Sequence, residues 1–181
     1  YSNAVSADLS NSVFRLHVIA NSNSAEDQNL KYLVRDELIK YMNSISKNIS
    51  SKKEAIKLAK ENIDEFYKIA KKVIKDNGFN YDINIDIGNF AFPTKTYGDI
   101  SLPAGFYDAL KIEIGSSSGQ NWWCVMFPSL CFIDVSNGIV PEESKENLQN
   151  NLEEENYNLI SYDTFEFKLK FKLVEFFENT K

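Results

Sequence analysis

Histidine is almost missing from this chain: His17 is the only one, and cysteine is limited to Cys124 and Cys131. Those three side chains fall short of the four ligands a structural zinc site takes, so neither a metal nor a cofactor is expected. Long hydrophobic runs are missing too. Nothing approaches the roughly 18 apolar residues of a membrane span, so no segment of these 181 residues is expected to cross one. A basic face is also lacking: 20 lysines and arginines are scattered among 26 acidic residues, which argues against a nucleic-acid partner. The net charge of -6 is itself concentrated, because residues 142–155 hold six glutamates against one lysine and so carry -5 of it.

What remains is the composition of one soluble domain, with 43% hydrophobic residues and enough length to bury a substantial core. Tyr1-Ser2-Asn3-Ala4 resembles the remnant of a cleaved tag, which leaves residues 5–181 as a single globular unit, with a natural N-terminal signal peptide or anchor expected to have been lost. The acidic stretch 142–155 lacks apolar periodicity and reads as an exposed excursion from that unit.

VFRLHVIA at 13–20 alternates as a strand, with Phe14, Leu16, Val18 and Ala20 on its uniformly apolar side. Ser24 followed by Asp27, and Ser51 followed by Glu54, mark two helix starts, and Gly78 marks a stop. The apolar stripes between them predict an antiparallel helical pair over 25–78. YDINIDI at 81–87 alternates without fault, as a half-buried strand does. FYDALKIEI and NWWCVMF flank Gly115-Ser116-Ser117-Ser118-Gly119, a spacing that predicts a hairpin. The closing FEFKLKFKLVEFFE fits a strand up to Leu173 and a helix after it. Together these elements predict an α+β fold: a largely antiparallel sheet with the helical pair packed on one face.

The most concentrated chemistry lies in GQNWWCVMFPSLCF at 119–132. Trp122 and Trp123 are adjacent, so in a strand they point to opposite faces, one toward the core and one toward a surface where tryptophan anchors partners. Cys124 and Cys131 suit a disulfide closed by a turn at Pro128, a pair of buried thiols, or a catalytic thiolate with His17 as its base. Arg15 and His17 share the mixed side of their strand and, with Asn21 and Asp27 at the following junction, form a candidate polar cleft. Amides at that junction either cap the helix or bind an anion. Arg35 and Asp36 on the first helix, and Lys95 and Tyr97 in the turn-rich FPTKTYG, complete the candidate contact residues.

RLHVIANS followed by EDQ and VRD, then FPTKTYG, LPAG and GQNWWCVMFPSLCF, resembles stage II sporulation protein R over nearly all of residues 13–135, with a weaker echo in FKLVEFFE. The chain departs from the family's common FPPLC, since Ser129 stands where a second proline is usual. The resemblance implies a non-enzymatic signal of endospore-forming bacteria, exported from the forespore into the intermembrane space. There the family triggers a mother-cell membrane protease of aspartic type, which removes the pro-segment from the precursor of sigma factor E. Export favours the Cys124–Cys131 bridge over free thiols. The competing expectation is an envelope thiol hydrolase using one cysteine and His17.

Overall fold

A computed structural model describes residues 9–129 and 142–161. The expected bridge partner Cys131 and the closing segment 165–178 lie outside them. The α+β architecture is as the periodicity predicts. β1 (Phe14–Ile19) leads into α1 (Ala25–Ile45), α2 (Lys52–Glu61) and α3 (Ile63–Asp76). β2 (Ile83–Phe92), β3 (Lys95–Tyr97), β4 (Ile100–Leu102), β5 (Gly105–Ile114) and β6 (Asn121–Phe127) follow, and α4 (Glu142–Asn151) and α5 (Glu154–Ile160) close the described chain.

The helix starts are built as their capping residues dictate. Ser24 Oγ accepts the Asp27 amide and Ser51 Oγ accepts the Glu54 amide, each satisfying a donor that the first turn leaves without a partner. At Gly78 the positive φ lets Phe79 N–H reach back to Ile74 C=O and end α3. The predicted second helix is divided at Asn62, whose side-chain amide turns inward to Leu58 C=O while its Oδ1 accepts the Tyr41 hydroxyl at 2.8 Å. One apolar stripe survives the break, because Ala55 and Ala59 of α2 and Phe66, Ala70 and Ile74 of α3 are all buried. α1 and α3 are packed together as a pair.

The main sheet has the order β2-β5-β1-β6. β2–β5 and β1–β6 are antiparallel, while β1–β5 is parallel. The predicted hairpin between β5 and β6 is therefore not formed: β1 lies between them. The Gly-Ser loop instead wraps the end of β1, with Ser118 N–H and Gly119 N–H donating to Asn21 and Ala20 carbonyls. Gly115 is required there, since its φ is +57° and a Cβ would run into the Asn21 side chain.

Register assigns every side chain to a face. Leu16, Val18, Leu110, Ile112 and Cys124 share the side that carries the helices, and all are buried. Arg15, His17, Tyr107, Ala109, Trp123 and Val125 share the other. That second side is covered at one end by the two-stranded β3–β4 unit, on which α5 rests through an isolated bridge between Ile100 and Ser161.

The acidic stretch is better integrated than its charge predicts. Glu142, Glu146, Glu153 and Glu154 are exposed, but Leu148 and Leu152 are buried, and Lys145 holds Asp99 of the β3–β4 turn at 2.6 Å. The two leucines lie four positions apart, about one helical turn, so the burial follows from a minimal apolar stripe in a mostly polar segment. Leu148→Ala is expected to cost about 2 kcal/mol through lost burial and the cavity left behind. Thermal denaturation measures it, and an unchanged melt would show that α4 is not part of the cooperative unit.

Candidate functional site

β6 presents its tryptophans to two different environments. Trp122 stands opposite Val18 on the helix side and Trp123 opposite His17 on the other, so the strand alternation places them as predicted. Neither is fully buried or fully exposed.

On the helix side, Arg35 of α1 lays its guanidinium 4.2 Å from the Trp122 ring centroid and 4.9 Å from that of Tyr32. Tyr32 meets Trp122 edge to face at 5.6 Å, and Lys31 Nζ sits 4.6 Å over Tyr32. Asp36 closes the group, accepting from Arg35 at 2.6 Å. Lys31 is buried, which lowers its pKa to about 8, helped by the nearby Arg35 charge. Its ammonium donates to Gln28 Oε1 and to the Gln120 carbonyl. Tyr32 remains exposed and Arg35 mostly covered. The result is an amphipathic patch in which two cations and two aromatic rings are ordered before any partner arrives. A double-mutant cycle on Arg35→Ala and Trp122→Ala is expected to give about 1 kcal/mol of coupling in denaturant unfolding. Additive single effects would mean that the guanidinium and the indole do not support each other.

On the opposite side, His17 stacks on Trp123 with centroids 3.6 Å apart, and Phe92 meets both rings edge on. His17 Nε2 pairs with Asn121 Oδ1 at 2.7 Å. Burial is the main cause that holds the His17 pKa down at about 4, with the charges of Lys111 and Arg15 acting in the same direction and the hydrogen bond to Asn121 and the nearby Glu113 opposing them. Arg15 is fully buried, its guanidinium 4.2 Å from the Phe92 centroid and 4.7 Å from that of Tyr107. It donates to the Tyr97 hydroxyl at 2.8 Å, and Tyr97 in turn donates to the Trp123 carbonyl at 2.9 Å. The other terminal nitrogen of Arg15 has no hydrogen-bond partner among the described residues, and burial lowers the Arg15 pKa.

The four residues expected to share a polar cleft thus divide into two groups. Arg15 and His17 lie within an aromatic cluster. Asn21 and Asp27 bond to each other at 2.8 Å at the β1–α1 junction, where Ser22 also donates to Asp27. Burial alone would raise the Asp27 pKa, but hydrogen bonds from Ser22, Asn21 and Tyr81 bring it below the usual value. The Asp27 carboxylate therefore takes the place an anion would occupy, and the helix-capping reading of this junction is the one the geometry supports. Tyr97 is buried as a link between Arg15 and β6, while Lys95 is half-buried on the same short strand. Tyr32, Phe92, Tyr107 and Asn121 were not singled out from the sequence. Only Tyr32 carried a local signal, three positions before Arg35 on one helix face.

The thiolate–imidazole pair expected of a hydrolase is not assembled from Cys124. Cys124 is buried opposite Leu16 on the helix side, and His17 lies on the other side of the same sheet. Among the described residues no cluster of His, Cys, Asp and Glu could hold a metal ion, and no helix is long and apolar enough to cross a membrane.

No solved structure matches the chain. A curated relative, stage II sporulation protein R of Bacillus subtilis (strain 168), is 42% identical over 132 residues, or 73% of this chain. The matched part spans 59% of that relative's length. The family model for stage II sporulation protein R matches residues 10–137, which take in β1 through β6 and both tryptophan environments. The chain belongs to the stage II sporulation protein R family.

Proposed function

We propose that this protein is an exported sporulation signal that binds the extracytoplasmic part of a mother-cell membrane protease of aspartic type and shifts it toward its active state. Removal of the pro-segment from the precursor of sigma factor E follows. Family membership supports the sporulation role. The observation that carries the binding reading is the ordered patch of Tyr32, Arg35 and Trp122, an aromatic and arginine surface of the kind that dominates binding energy. A binding protein drives such a switch by having higher affinity for one state of its target, with no bond made or broken.

The test is reconstitution of precursor cleavage with the purified protease. Tyr32→Ala and Trp122→Ala should reduce activation while retaining a cooperative melt. Well-folded variants that activate normally would remove this patch from the contact.

A Cys124–Cys131 disulfide is part of the same proposal. Cys124 is buried in β6, four positions before the turn at Pro128 and Ser129, and no free cysteine is found among the described residues. Such a bridge closes a short loop in an exported chain and stabilises by restricting the unfolded state. Intact-mass analysis after alkylation under native oxidising conditions reads it directly, and two alkylated thiols would rule it out.

A further inference from the structure

β2 has ten residues and, among the described strands, lies at an edge of the main sheet. It pairs with β5 without a register shift from Ile83 to Phe92, so no bulge twists its free edge away. Natural edges are usually blunted by lysine, proline or a bulge. Residues 83–92 hold neither lysine nor proline, and Asp86 is their only charge.

The direction of the free backbone groups follows from one hydrogen bond. Gly115 N–H donates to Asp82 C=O at 2.8 Å, which makes residue 82 and the even residues after it the ones bonded toward β5. Ile83, Ile85, Ile87, Asn89 and Ala91 therefore turn their N–H and C=O groups outward. Among the described residues nothing pairs with them. On the helix side Ile83, Ile85 and Ile87 are only half-buried, an apolar row that ends at the edge of the sheet.

We propose that this edge pairs with β2 of a second copy, antiparallel about a two-fold axis at Ile87, to give one continuous sheet. Only even sums of paired residue numbers oppose outward-facing residues to one another. Centring on Ile87 pairs Ile83 with Ala91 and Ile85 with Asn89 across the axis, using all five outward residues and forming about ten backbone hydrogen bonds. Moving the axis to Gly88 would bring Pro93, which has no N–H, opposite Ile83.

Charge selects the same register. Asp86 then faces Gly88 of the copy rather than another carboxylate. An axis at Asp86 would oppose two aspartates directly. The Ile87 side chains meet at the centre, so the half-buried isoleucine row of one copy continues into that of the other. An isologous contact of this kind closes on itself, which favours a dimer over an open chain of strands. The inference does not depend on protease binding.

Sedimentation velocity across a wide concentration range, combined with hydrogen exchange, tests it. A reversible dimer is expected in which the amides of Ile85, Ile87 and Asn89 gain protection as concentration rises. Ile87→Lys, which places two ammonium groups at the axis, should weaken the dimer about a hundredfold or more. Ile87→Pro should do the same while sparing the β2–β5 ladder, since the N–H it removes points outward. A chain monomeric at every concentration overturns the proposal. So does a dimer whose β2 amides exchange freely, or one that well-folded Ile87 variants leave unchanged. If both variants misfold, the exchange pattern of the unaltered protein decides between these outcomes.

Discussion

Arg15→Ala is expected to destabilise the fold by about 3–5 kcal/mol, whereas Arg15→Met should cost less than about 1.5 kcal/mol. Arg15 is fully buried in the central strand, and no carboxylate is paired with it among the described residues. The Tyr97 and Tyr107 phenols beside it have pKa values raised by burial, so they stay neutral and supply dipoles and ring faces, not an anion. Alanine removes the buried side chain whose guanidinium packs on Phe92 and Tyr107, opens a cavity, and leaves the buried Tyr97 hydroxyl without its donor. Methionine keeps most of the volume and removes a charge that is costly to desolvate. Chemical denaturation of the two variants separates the contributions. Equal losses in both would show that the charge, and not the packed side chain, holds the β3–β4 unit on the sheet.

Acid should weaken the protein by about 3 kcal/mol between roughly pH 6.5 and 4 through His17 alone. The direction follows from the lowered pKa. In that window the unfolded chain takes up a proton at its ordinary histidine pKa, while the folded protein, with His17 at about 4, does not. The contribution is complete above pH 6.5, falls as pH drops toward 4, and changes no further below that. The carboxylates with lowered values, Asp27, Glu54, Asp108 and Glu113, start from ordinary values of 3.8, 4.5, 3.8 and 4.5, so their losses come later in the titration. With one histidine in the chain, the upper part of the acid limb is a single-residue experiment. Urea unfolding at a series of pH values should show the slope, and His17→Gln should abolish it. A slope that survives the substitution would assign the effect to another group.

The loop that wraps β1 links the two tryptophan environments to the helix layer. Lys31 of α1 donates to the Gln120 carbonyl, Asn23 accepts the Gln120 amide, and Ser116 and Ser118 hydroxyls donate to the Asn21 carbonyl. The serines and asparagines that mark turns in the sequence thus fix the start of β6 against the start of α1. The register that sets Trp122 under Arg35 depends on that junction.

The local elements and the faces of their side chains are legible in the chain alone. Ser24 and Ser51 begin helices, Gly78 ends one, and alternation in β1, β2 and β6 assigns Leu16, Ile85 and the two tryptophans to their sides, because capping and periodicity are properties of neighbouring residues. The sequence also carried the family resemblance, whose blocks are contiguous in the chain. Which strands are neighbours is settled by long-range pairing: the Gly-Ser segment suits a hairpin locally, yet β1, separated from β5 by more than 80 residues, takes the place between β5 and β6. Arg15 shows the same division. Its parity was readable, but its burial was not, because Phe92, Tyr97 and Tyr107 reach it through sheet pairing and loop closure that no local pattern encodes.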